Sequence, residues 1–118
     1  MDAAYEALEQ RKLKLLAEAA ELEVEQQRQR GRLASTPHFG DLEDAGRQLG
    51  RRLSTLTQSR LANEVASNLV GETDCPDCGR TCAVETQART VTGLDGPVEI
   101  LEPQAHCPAC RRDFFPSA

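Results

Sequence analysis

The sequence predicts an α+β chain: an antiparallel helical hairpin at the amino end, open to coiled-coil pairing, then a small β-hairpin module pinned by cysteines. Three observations carry this expectation. Residues 2 to about 34, and then Asp41 to Leu69, hold strong helix formers and leucines at helical spacing. At Gly71 the composition shifts from alanine and glutamate to cysteine, proline, threonine and valine. Four of the five cysteines then stand as two Cys-x-x-Cys pairs. Residues 1–70 are therefore read as a helical region and 71–118 as a second, smaller domain.

The first helical zone contains no proline, and Leu8, Leu15 and Leu22 recur every seven residues, with Leu16 and Ala19 widening the stripe. Asp2, Glu6 and Glu9 lie near its start and Arg28, Arg30 and Arg32 near its end, as the helix dipole favours. Gly31 and then Ser-Thr-Pro-His-Phe-Gly signal the stop. The second zone takes Asp41 as N-cap and Leu42, Ala45, Leu49, Leu53 and Leu56 as its apolar face. A one-residue slip to Leu61, Val65 and Leu69 suggests a kink near Thr57 to Ser59. The leucine stripe of the first zone can pack on Leu42, Leu49 and Leu56 of the same chain, or on a second copy as a homodimer. In the last zone, Ala-Arg-Thr-Val-Thr and Pro-Val-Glu-Ile-Leu read as strands around Gly-Leu-Asp-Gly, with Asp95-Gly96 as the turn signal.

Cys75 with Cys78, and Cys107 with Cys110, have the spacing that lets a tight turn aim two sulfurs at one point. Two such turns supply the four thiolates that tetrahedral Zn²⁺ prefers, and the hairpin between them brings the turns together. The expected architecture is a zinc ribbon holding one structural ion, with Pro76, Pro108 and Gly79 suited to the turns. Thioredoxin-like redox chemistry would need one such pair on a βαβ framework, which the pattern lacks. A rubredoxin-like iron site uses nearly the same ligands on an aromatic core, and no tryptophan, tyrosine or phenylalanine lies between the two pairs. Four cysteines close the coordination shell, so a catalytic ion is not expected. Cys82 reads as a buried bystander, His106 as a strand or turn residue, and His38 as a loop residue without a partner. Of Phe114 and Phe115, one is expected to close the small core over the turns.

Composition narrows the function classes. Only 3% of residues are aromatic and the net charge is −5, so neither a large core nor a strongly basic nucleic-acid binder is expected. No apolar run is long enough to span a membrane, and the amino end lacks the order of a secretory signal. Five cysteines without an export signal point to a reducing compartment, and the cytoplasm is the expected location.

The ribbon segment resembles the amino-terminal region of bacterial insertion-sequence transposases of the Kra group. The matching positions are Cys75, Cys78 and Gly79; Arg89, Thr90 and Val91; Gly96 and Val98; Cys107, Pro108 and Cys110; and Arg112, Phe114, Phe115 and Pro116. The stretch Leu-Gly-Arg-Arg-Leu-Ser-Thr-Leu-Thr-Gln-Ser-Arg-Leu resembles the helix before that ribbon. The resemblance implies a zinc-binding, DNA-engaging front end to a recombinase whose ribonuclease-H-like catalytic domain would follow. No such domain lies within these residues, so this stretch is expected to be non-catalytic, with no small-molecule substrate. Arg80, Arg89, Arg111 and Arg112 are the only cations from Gly71 onward, against eight Asp or Glu. DNA binding through them is therefore expected to be weak and salt-sensitive. The alternative is a protein-interaction or oligomerisation module that does not touch DNA.

Overall fold

The computed structural model describes residues 2–33, 35–69 and 71–116. Two helices, α1 (Ala3–Gln29) and α2 (Phe39–Asn68), precede four strands: β1 (Gly71–Asp74), β2 (Thr81–Gly93), β3 (Gly96–Cys107) and β4 (Arg112–Phe114). The strands form one antiparallel sheet in sequence order. The fold is thus α+β, as the sequence predicts. The chain divides into two compact units, Met1–Leu49 and Gly50–Ala118, so the second half of α2 belongs with the sheet.

In the first unit, α1 is capped by Asp2. The Asp2 carboxylate accepts the Tyr5 N–H at 2.7 Å, satisfying one of the four free donors of a helix start. At the other end Gly31 takes φ +72°, and the N–H groups of Gly31 and Arg32 donate to the carbonyls of Arg28 and Gln27. Only a residue tolerant of left-handed backbone closes a helix this way. The leucine stripe is exposed: Leu8, Leu15 and Leu22 are 65%, 54% and 62% exposed, and no residue of α1 is buried among the described residues. Leu42 and Leu56 of α2 are exposed as well, and Leu49 is half-buried. Ala34, at the edge of the first helical zone, lies outside the described residues.

Helix α2 begins two residues before the expected cap, so Asp41 sits inside its first turn, with its N–H bonded to the His38 carbonyl. It also runs unbroken through the expected kink. The hydroxyls of Thr55 and Thr57 bond back to the carbonyls of Arg52 and Leu53, a contact that tends to bend a helix, yet the helix stays continuous here.

The second unit is organised by the edge of β3. Its register with β2 runs from Val84–Ala105 to Gly93–Gly96, whereas β4 covers only residues 105–107 on the other side. The remaining edge would expose unpaired backbone groups. Side chains of α2 satisfy two of them: the Ser59 hydroxyl donates to the Glu99 carbonyl at 2.6 Å, and Asn63 Oδ1 accepts the Leu101 N–H at 3.1 Å. Four residues of helix rise about 6 Å and two residues of strand about 6.8 Å, so one helical turn keeps step with the edge. Ser54 extends the row by donating to Asp95 in the hairpin turn at 2.6 Å.

The turn itself differs by one residue from the expected signal. Gly93 and Gly96 pair, and the connecting residues are Leu94 and Asp95, followed by Gly96 at φ +106°. A turn of ordinary backbone closed by a positive-φ glycine suits the twist of a hairpin.

Burial changes face along the ribbon. Near the cysteines Cys82 and Val84 of β2 and Ala105 and Cys107 of β3 are buried, while toward the hairpin turn Val98 is buried and Val91 and Ile100 are half-buried. Val84 and Val91 have opposite parity on β2 and so point to opposite faces. The two halves of one twisted hairpin therefore bury different sides: one around the sulfurs, the other in the half of the ribbon that α2 borders.

Candidate metal centre

Each Cys-x-x-Cys pair is itself a turn between two strands. Asp74 pairs with Thr81 across the first, and Cys107 with Arg112 across the second. Their backbones match. The Gly79 N–H donates to the Cys75 carbonyl at 2.9 Å, and the Arg111 N–H donates to the Cys107 carbonyl at 2.8 Å. In both, the residue after the second cysteine turns left-handed: Gly79 at φ +75° and Arg111 at φ +56°. The first turn is further held by the Cys75 N–H, which donates to the Arg80 carbonyl at 2.8 Å.

The antiparallel pairing of β2 with β3 brings the two turns together. All four sulfurs, of Cys75, Cys78, Cys107 and Cys110, lie within 4.8 Å of one another. Cys75 and Cys110 Sγ atoms stand 3.8 Å apart, and those of Cys78 and Cys107 3.5 Å apart. A disulfide needs about 2.05 Å, so these are free thiols. A regular tetrahedron of four sulfurs at about 2.3 Å from a central ion has edges of about 3.8 Å. The donor set therefore fits one tetrahedral metal ion and leaves no open ligand position.

Electrostatics explains why a cation belongs here. The Cys110 N–H, donating to Cys107 Sγ at 3.4 Å, is the main influence that lowers the Cys107 thiol to about 6. Cys110 is pushed up to about 12 by hydrogen bonding to the Cys78 and Cys75 sulfurs, with burial adding to it. At Cys78 the Arg80 backbone pulls the thiol down, but the Cys107 sulfur and burial outweigh it and the net direction is up. One thiolate forms readily and its neighbours resist joining it. A divalent cation reverses that balance, because ligating thiols lose their protons.

The surroundings sort the other residues singled out by the sequence. Cys82 is buried but stands outside the cage, donating to the Arg80 carbonyl at 3.4 Å, and desolvation raises its thiol. It belongs to the small core with Val84 and Ala105, onto which Phe114 packs while Phe115 stays exposed. His106 faces away from the sulfurs; its Nδ1 lies 2.7 Å from the Asp113 carboxylate across the β3–β4 pair. His38 is an exposed loop residue. Among the four arginines, Arg89 is paired with Glu102 across the hairpin at 3.1 Å. Arg112 is paired with Asp77, which lies inside the first turn, so this ion pair links one cysteine turn to the strand after the other. Arg80 and Arg111 are exposed beside the turns. Asp77 is the contributor that the sequence reading did not single out; its position between Cys75 and Cys78 was the available signal.

No helix among the described residues is long and apolar enough to cross a membrane. Fold and site together define a four-cysteine ribbon, bordered by a helix, whose sulfurs are placed to hold one metal ion. Compared with family models, curated proteins and solved structures, the chain matches none.

Proposed function

We propose that the chain is a structural zinc module serving as the non-catalytic, DNA-engaging front end of an insertion-sequence transposase of the Kra group. The observation that carries the zinc reading is the duplicated turn, which aims four sulfurs of tetrahedral spacing at one point. Four thiolates suit both zinc and iron; zinc is favoured because no tryptophan, tyrosine or phenylalanine lies between the pairs to build the aromatic core of an iron site. The ion would supply no chemistry beyond cross-linking, since four protein ligands exclude substrate. The transposase reading is supported by the order of cysteine turn, Arg-Thr-Val hairpin, second turn and Phe-Phe-Pro along the chain.

DNA contact in this reading falls mainly to Arg80 and Arg111, which flank the two turns, because Arg89 and Arg112 already answer carboxylates. Two phosphate contacts give a log–log salt slope of only about −2. A gel shift of the zinc-loaded chain on the element's terminal repeat should show a weak complex at low salt that disappears at moderate salt. The double variant R80A/R111A should abolish it. Absence of any complex at low salt would remove the DNA role, while the metal content of the same sample tests the zinc role separately.

A further inference from the structure

A helix of 27 residues with no buried side chain needs a reason to stay helical. Pairs such as Glu9–Lys12 and Glu25–Arg28 help, but each contributes only tenths of a kcal/mol. Leu8, Leu15 and Leu22 of α1 are each more than half exposed among the described residues. We propose that α1 pairs with α1 of a second copy of this chain, antiparallel, in a short two-stranded coiled coil. The proposal stands on α1 alone and is independent of the metal centre and of DNA.

Charge placement chooses both the occupant and its direction. With Leu8, Leu15 and Leu22 at the d positions of a heptad, Tyr5, Lys12 and Ala19 occupy the a positions. Arg11 and Glu18 flank the seam on one side, and Glu9, Leu16 and Glu23 on the other. A parallel pair would set Lys12 directly against Lys12 of the second copy and Glu18 against its Glu23. Both contacts are repulsive. An antiparallel pair layers Leu8 with Ala19, Leu22 with Tyr5, and Leu15 with the stem of Lys12. It also brings Arg11 level with Glu18 of the second copy, twice by symmetry. The ammonium of Lys12 reaches past the leucine to water, as long cationic side chains do. No like charges face each other across the central layers. Among the described residues Lys12 has an exposed ion pair to Glu9 and Arg11 has none, so both can turn to a second copy.

Three heptads give a weak dimer, so sedimentation equilibrium of the zinc-loaded full chain under reducing conditions should be run over about 10–300 µM. The apparent mass should rise from 12.9 kDa toward twice that value. L15K should remain monomeric throughout, with circular dichroism of the ribbon unchanged. R11E should weaken the dimer at least about fivefold, E18K likewise, and R11E/E18K in one chain should restore it. A parallel dimer responds differently: R11E then faces Leu16, and the double variant gives no rescue. A monomeric wild type at the highest concentration, or reversal without rescue, would overturn the proposal.

Discussion

The two cysteine turns adopt one backbone with two different residues at its left-handed position, and this makes the turn energy measurable. Gly79 takes φ +75° where glycine is at no disadvantage, whereas Arg111 takes φ +56° with a full side chain. An L-residue in left-handed backbone costs roughly 1–2 kcal/mol. A Cβ on Gly79 would meet no atom within 4 Å, so Gly79→Ala adds backbone strain without a clash, and the stiffer unfolded chain offsets part of it. The apo turns have little core to hold them, so the strain is felt mainly when metal closes the cage. Gly79→Ala should therefore weaken zinc binding by about 1 kcal/mol, close to fivefold in Kd. Arg111→Gly relieves the same strain but frees the unfolded chain, which offsets part of the benefit, leaving about 0.5 kcal/mol of gain. Competition against a chromophoric chelator at fixed pH reads both numbers, and thermal melting of the loaded protein gives the same order. Equal affinities for the wild type, Gly79→Ala and Arg111→Gly would show that the left-handed residues do not govern the turns.

Two further expectations follow from the site and its support. Zinc affinity should fall as pH falls, because Cys78 and Cys110 have raised thiols and surrender protons on binding. Release of at least about two protons per ion makes the logarithm of affinity climb by two or more per pH unit near neutrality; a flat profile would contradict the thiol ligand set. Replacing Ser59 and Asn63 by alanine removes the cover of the β3 edge and should cost about 0.5–1.5 kcal/mol per bond in a denaturant melt, without altering metal stoichiometry.

Much of the site was legible in the sequence because its chemistry is local. A Cys-x-x-Cys turn fixes its own geometry, so the ligand set could be read from spacing, and Gly79 from its place after the pair. Helix ends were equally local at α1: Gly31 ends it in left-handed backbone as its place predicts, while Asp2, read only as an acid near the helix start, also caps it. Features that depend on distant partners were not legible. Strands β1 and β4 have four and three residues, too short to show a period, and exist because the turns fold them onto β2 and β3. Strand lengths beyond the β-branched runs, through Gln87 and Glu102, come from the register and not from propensity. The slip in the leucine pattern of α2 suggested a break, yet that stretch is where Ser59 and Asn63 turn toward β3, so the helix trades apolar spacing for edge bonds. Arg111 gave no glycine signal for a turn that glycine would suit.

The metal itself is the most direct test. Native mass spectrometry of the folded chain, paired with elemental analysis, should find one zinc ion per polypeptide in the wild type and in Cys82→Ala. The ion should be absent from Cys75→Ser/Cys110→Ser, whose strand signal in circular dichroism should collapse while helical signal persists. A metal-free wild type that keeps its full strand signal would contradict the account.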